Sequence, residues 1–332
     1  MIWLTWRQFR AQTVVAAGAL ALLAVALAVT GSQLVHLYDT TVATCQAHHD
    51  CQIAIGAFES EDTFLQDLIP VVMLVAPALI GIFWGAPLIA HELETGTQRL
   101  AWTQSVSRLR WLAVKLSLAG LVSMATAGLL SLMVTWWSSP FDRLGMNRLD
   151  PTIFSERGIV PVGYAAFAFA LGVTAGMLIR RTVPAMAVTL AVFAAVVAGF
   201  ALRVRFHLIP PLHLTAPLNM SWVTQTGSFG RPGHSALLVG ISPNLPGAWV
   251  NSAQVTTAAG RTSLGPALPA CGPNFTYSAC TAAIARLHLR QVIVYQPGSR
   301  FWALQWYETA IYLALALALA GFCVWWVRRR VS

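Results

Sequence analysis

The chain has 332 residues, of which 57% are apolar or aromatic and only 10% charged, with a mean hydropathy of +0.64. Soluble proteins carry roughly 25% charged residues, so this composition excludes a pair of soluble domains and identifies a membrane protein. The net charge of +9 comes from 20 arginines and one lysine, Lys115, against 12 acids. These charges are scattered between apolar runs and form no nucleic-acid patch.

At the N-terminus Ile2, Trp3, Trp6 and Phe9 recur at helical spacing beside Arg7 and Arg10. Residues 1–12 therefore read as an amphipathic interfacial helix, its rings at headgroup level and its arginines on lipid phosphates. A plain basic flank of the first span is the alternative. Six apolar runs approach the roughly 20 helical residues that cross a hydrocarbon core; they cover about 13–31, 68–90, 112–136, 159–180, 183–202 and 309–327. The first has no small-x-small cleavage motif at its end, so it predicts an uncleaved helix.

The loop after span one carries six acids and no base, and it also holds Cys45 and Cys51. Span two contains Pro70, Pro77 and Pro87; Pro77 is a candidate hinge, with a static kink as the alternative. The link at 91–110 is the most polar stretch on its side of the membrane. Its acids come early and its arginines late, which predicts a short helix from about Leu93 to Trp102. Glu92 and Glu94, Arg99, and Arg108 with Arg110 then offer separated opposite charges, as a docking surface requires; a solvated connector is the alternative. Pro184 fits the first turn of span five. The segment 203–308 is too long for a plain connector and should fold, with short strands, turns and one helix near Thr281–Arg290. Glu308 is expected to pair with Arg300 or to cap the last helix, a structural role.

Arginine and lysine placement orients the bundle. With the N-terminus cytoplasmic, the inner segments hold eleven bases against Glu92 and Glu94, and the outer segments hold ten against ten. Both termini are then cytoplasmic. The pairs Cys45 and Cys51, and Cys271 and Cys280, then lie outside, where disulfides are permitted. Cys45, His48, His49, Asp50 and Cys51 also admit a metal reading. Cys323 is a small packing residue in the last span. The fold class is thus an all-α polytopic membrane protein of six transmembrane helices with a mixed, loop-rich extracellular domain between helices five and six. Its parts are residues 1–12, spans one to five over 13–202, the extracellular domain over 203–308, and span six with a basic tail over 309–332.

A nucleotide-hydrolysing P-loop needs a lysine that follows glycine and precedes serine or threonine. Lys115 stands between Val114 and Leu116, so the chain has no such motor. His91-Glu92 opens like a zinc-protease helix, but Thr95 occupies the second histidine position, and no nucleophile elbow occurs. The spans offer no evident proton relay. An enzyme is not expected, and neither a metal nor a cofactor is assigned to this chain.

The run Glu92 to Lys115, the opening Trp3-Leu4-Thr5-Trp6-Arg7-Gln8-Phe9-Arg10, and Tyr295-Gln296-Pro297 with Arg300, Phe301, Trp302, Gln305 and Glu308 resemble the permease subunit of type-2 ABC exporters in their actinobacterial branch. The resemblance covers the membrane part and does not extend to about 203–290. It implies a multi-pass permease of the bacterial cell membrane, working with a second permease chain, identical or different, and with ABC ATPase subunits that bind ATP and Mg. It also implies that the start of the chain is a connecting helix. The link between spans two and three becomes a coupling helix, with Glu92, Glu94, Gly96, Thr97, Arg99, Trp102 and Gln104 as coupling residues. Trp, Phe and Met in the bundle would suit a hydrophobic or amphiphilic cargo. Two other classes remain open: a membrane-anchored receptor or assembly protein whose outer domain binds a ligand, and a polytopic enzyme acting on lipids.

Overall fold

A computed structural model describes residues 2–45, 51–60, 63–96, 107–144, 147–229, 236–262, 268, 271 and 276–330, with side chains from Thr13 onward at all but a few of these positions. The chain divides into two compact units. One comprises Met1–Leu144, Asp150–Arg205 and Trp302–Ser332; the other comprises Gly145–Leu149 and Phe206–Phe301.

The first unit is helical. Among the described residues six stretches are long and apolar enough to cross a membrane: Thr13–Cys45, Phe64–Thr95, Leu109–Trp137, Val160–Ile179, Thr182–His207 and Gly298–Arg329. Each contains or closely matches one of the six apolar runs. Helix α1 (Ile2–Leu37) starts before the first run and enters it unbroken, so residues 2–12 are not a separate helix; the side chains of Trp3, Trp6, Arg7 and Arg10 lie outside the described residues. Beyond the run, α1 passes through a π-helical segment, Tyr38–Val42, and ends at Cys45. The hydroxyls of Thr40, Thr41 and Thr44 donate to carbonyls one turn back, so these polar groups are satisfied within the helix itself. Cys45 is bonded to Cys51, just before α2 (Gln52–Ser60). With both sulfurs in that bond they are not metal thiolates; His48, His49 and Asp50 lie outside the described residues.

Span two is built from α3 (Thr63–Leu79), a π-helical segment Ile80–Gly85, and α4 (Ala86–Thr95). Pro70 and Pro77 lie inside α3. Pro77 has no N–H to offer, and the wider π ladder begins three residues later. The remaining helices are α5 (Arg108–Trp137), the short α6 (Ser139–Arg143) and α7 (Pro151–Glu156), then α8 (Val160–Ile179) and α9 (Thr182–Gly199). A π-helical turn, Phe200–Val204, prolongs α9 to Arg205. The last helix, α11, runs Phe301–Arg330.

Helix α8 is the most enclosed span and packs on the π segment of span two and on α4, α5 and α9. Small residues permit this. A Cβ on Gly81 would lie 2.7 Å from the Ala168 carbonyl oxygen, one on Gly85 2.6 Å from that of Phe169, and one on Gly176 2.5 Å from that of Ala86. Gly81 with Gly85, and Gly172 with Gly176, each form a small-xxx-small pair that lets two backbones touch. Around this contact Trp84, Ile89, Leu112, Phe169, Met177 and Val327 form one buried cluster. Buried Cys323 lies 3.3 Å from the Thr174 hydroxyl. Span one is held to span three by the Trp137 indole, which donates to Thr30 at 2.9 Å. Along α11, Trp302, Trp306 and Tyr307 are exposed near one end and Trp325 near the other. About 30 Å of helix rise separates the two groups, the spacing of aromatic belts at two membrane interfaces.

The second unit is mixed. Strand β5 (Arg290–Gln296) is the centre of an antiparallel sheet between β1 (Leu212–Pro217) and β4 (Trp249–Thr256), with Leu214 and Ala253 both opposite Ile293. Strands β2 (Val223–Phe229) and β3 (Ala236–Ile241) form a hairpin. Helix α10 (Tyr277–Ala285) starts four residues before the helix expected near Thr281–Arg290 and ends earlier. Leu287 and Leu289 follow in the turn that leads into β5. Ile284, Leu289, Leu237 and Val255 pack around the buried Cys271–Cys280 disulfide. The Gln296 amide donates to the carbonyls of Phe206 and Ile209, and Arg300 donates to that of Pro210, so the two ends of the unit are tied together.

Gly81→Val should destabilise the fold by roughly 1–3 kcal/mol or more, because the packed backbone of Ala168 has no room to yield. Gly321→Ala, where nothing lies within 4 Å, should be neutral or slightly stabilising. Thermal unfolding of the two variants in the same detergent checks the contrast.

Candidate functional site

The link between spans two and three begins where α4 ends. Gly96 adopts a left-handed conformation (φ 74°) after Thr95, the glycine stop common at helix C-termini. The helix expected over Leu93–Trp102 is therefore not one element, since residues 93–95 are the last turn of span two. Thr97, Arg99, Trp102 and Gln104 lie outside the described residues. On the far side α5 begins at Arg108, where the Ser107 hydroxyl accepts from the Arg110 N–H at 3.3 Å.

The two acids at the start of the link serve different neighbours. Glu92 accepts a hydrogen bond from Lys115 Nζ, forming an ion pair between α4 and α5. Lys115 is 3% exposed and its ammonium sits 4.9 Å from the centroid of the Trp111 ring, so burial, a carboxylate and an aromatic face all act on one cation. Glu94 is exposed and reaches span five: its Oε2 accepts from the Thr182 hydroxyl at 2.8 Å and from the Thr182 N–H at 3.2 Å. That bond satisfies one of the free donors at the start of α9, where negative charge is favoured. The last turn of span two is thus fastened to spans three and five at once, and Gly96 follows directly. The sequence reading missed Lys115 as the partner of Glu92. The signal was present, because the link has only two acids and Lys115 is the one base inside the apolar run 112–136, but the pairing needs the hairpin geometry of two helices.

At the opposite end of the bundle lies a second polar cluster. Arg205 is fully buried, and its Nε donates to Glu308 Oε2 at 2.8 Å. Its Nη2 donates to Glu308 Oε1 (3.0 Å), the Tyr164 hydroxyl (2.9 Å) and Ser155 Oγ (2.9 Å). Its Nη1 donates to the Pro151 carbonyl at 2.9 Å, and the guanidinium lies over the Phe154 ring. Tyr164 in turn donates to Glu308 Oε1 at 2.6 Å. Nearby, Gln305 Oε1 accepts from the N–H groups of Ile159 and Val160 and so caps α8, while its Nε2 donates to the Phe154 carbonyl. Glu308 therefore does not pair with Arg300, as expected, nor does it cap its own helix. Arg300 lies two turns earlier and turns to Pro210 and Gln296, whereas Glu308 faces inward. Arg205 and Glu308 stand on either side of the second unit in sequence, so their bond closes the bundle where the chain leaves it and returns.

Such a pair is costly to break one partner at a time, since the survivor is a buried, uncompensated charge. Glu308→Leu should destabilise the protein by about 3–5 kcal/mol, and Arg205→Met combined with Glu308→Leu should recover much of that loss. Unfolding of the single and double variants checks the cycle; equal, additive losses would contradict a coupled pair.

The helices that carry the first cluster, and those of the second apart from α11, lie in the region that is similar to a known family. A family model described as ABC-2 membrane transporter related matches residues 17–205, more than half of the chain. No curated protein and no solved structure matches it significantly. The matched region runs from span one to Arg205 and so includes the link between spans two and three with its Glu92–Lys115 and Glu94–Thr182 fastenings. The chain belongs to the ABC-2 membrane transporter related family, as a polytopic membrane permease.

Proposed function

We propose that the protein is the permease subunit of an ABC exporter of the actinobacterial type, in a bacterial cell membrane. It forms the path for a hydrophobic or amphiphilic cargo, such as a drug, a peptide antibiotic or a lipid-like product. Both termini and the link after span two face the cytoplasm, and the segment 203–308 is extracellular. Two permease chains, identical or different, assemble with ABC ATPase subunits that bind ATP and Mg, and membrane lipids surround the bundle.

The observation that carries this reading is the family match together with the fastening of the link. A segment that must convey movement of a partner chain to several spans needs rigid attachment at its root. Glu92, through Lys115, anchors that root to span three, and Glu94, through Thr182, anchors it to span five. Gly96, Thr97, Arg99, Trp102 and Gln104 follow as the residues that meet the ATPase, with Trp3, Trp6, Arg7 and Arg10 at the inner membrane surface, on the start of α1. Pro77, three residues before the π-helical segment of span two, is the hinge in this scheme.

The experiment is co-purification of the tagged permease with the product of its neighbouring reading frame, followed by ATPase and transport assays on the reconstituted complex. An ATPase bearing a Walker motif should be recovered in equal amount. Glu94→Arg should leave the fold intact and reduce coupling, so that hydrolysis continues with transport lowered by tenfold or more. Undiminished transport would overturn the assignment of the link. Failure to recover any ATPase would favour the receptor reading, which the separately packed core of residues 206–301 supports.

A further inference from the structure

Helix α7 (Pro151–Glu156) is a short element held from one side. Arg205 binds the Pro151 carbonyl and the Ser155 hydroxyl, and Gln305 binds the Phe154 carbonyl, each at 2.9 Å. The Asp150 side chain caps its start by accepting from the Thr152 N–H at 3.0 Å. At its other end one buried group is left out of this bonding. Glu156 is 5% exposed, and its Oε1 has no hydrogen-bond partner among the described residues. The neighbouring Arg157 directs Nη1 to Asp142 at 2.8 Å, in an ion pair that is itself largely buried.

A buried carboxylate oxygen without a donor is tolerable when the acid is neutral and costly when it is charged. We propose that Glu156 is a proton-operated latch: protonated, it keeps α7 seated against Arg205 and Gln305, and ionised, it drives the C-terminal end of α7 out of its packed site. Burial pushes the Glu156 carboxyl up to about 7, Arg157 only partly opposes this, and Asp150 adds to it. Among the described residues, the helices packed most closely on α7, namely α3, α8 and α5, bring no compensating charge to it. In α3 the acid is Asp67, which is exposed; in α8 the titratable group is Tyr164, engaged with Arg205 and Glu308; the charged residues of α5, Arg108, Arg110 and Lys115, all lie in its first turns. Arg205 itself is neutralised by Glu308.

The direction follows from the raised value. The seated state has its full advantage below the ordinary carboxyl value of about 4.5 and loses it as the pH climbs through about 7. Release of α7 removes two of the acceptors of Arg205 and one of Gln305, the residues that close spans four, five and six at this end. In the orientation proposed above that end is outside the cell, and the latch then reads external pH. The latch itself does not rest on the transport reading, because it can be tested on the permease alone.

The test is amide hydrogen exchange of residues 150–160 in the purified full chain in lipid nanodiscs, from about pH 5.5 to about pH 8.5, with the intrinsic chemical rate divided out. The opening equilibrium of this segment should rise roughly tenfold between pH 6 and pH 8 in the wild type. Glu156→Gln, neutral at every pH, should stay as protected at high pH as the wild type is in acid. An opening equilibrium independent of pH, or one that rises equally in Glu156→Gln, would overturn the proposal. A second readout stands apart from the behaviour of the variant: the infrared band of a protonated carboxylic acid in the wild type should disappear with a midpoint near 7. Disappearance of all such bands near 4.5 would equally overturn it.

Discussion

The contact between spans two and four governs how the rest of the bundle is arranged. Apolar side chains gain nothing by leaving lipid for one another, so helices in a membrane associate through close packing and polar bonds. Gly81 and Gly85 meet Ala168 and Phe169, and Gly176 meets Ala86, at separations that exclude any Cβ. Both backbones come close along this seam, and α8 is buried on nearly all sides. Spans three, five and six then pack around that pair. The π-helical segment of span two falls on the seam; a π turn alters which residues face a neighbour, and here it presents both glycines to α8.

Two ion pairs fix the ends of this arrangement. Lys115 with Glu92 ties spans two and three beside the link, and Arg205 with Glu308 ties spans five and six, with Tyr164 of span four, at the other end. Each is a buried charge with a partner, as a low-dielectric interior demands. Their surroundings differ. Lys115 has one carboxylate and one ring face. Arg205 uses Nε and both Nη nitrogens on four residues, which makes that end a closed polar knot. Glu156 sits next to the knot with one carboxylate oxygen that has no hydrogen-bond partner among the described residues, so protonation decides whether α7 remains part of it.

Much of the architecture was legible in the residues. Twenty apolar residues cross a membrane whatever follows them, and Cys45–Cys51 and Cys271–Cys280 lie close enough in sequence to pair without knowledge of the fold. The link could be recognised as polar and acid-first, and Glu92 and Glu94 could be picked out by charge. The two glycine pairs were equally visible, since their four-residue spacing is a known signature of close helices. The assignment of Glu308 to Arg300 failed because proximity in sequence is a poor guide along a helix. Residues eight apart stand two turns away, while Arg205 is brought near from another span.

By itself the sequence determined the solvent of each segment: which stretches lie in hydrocarbon, which carry charge at the interfaces, and that no P-loop lysine exists to power transport from within. Only the tertiary structure decided the partners of the buried charges. Glu92 chose Lys115 over solvent, Glu94 chose Thr182, and Arg205 chose Glu308, 103 positions on. The physical reason is one of range. Hydrophobic transfer acts on each residue where it stands and is written locally, whereas the pairing of buried charges depends on distances between helices that do not exist until the bundle has packed.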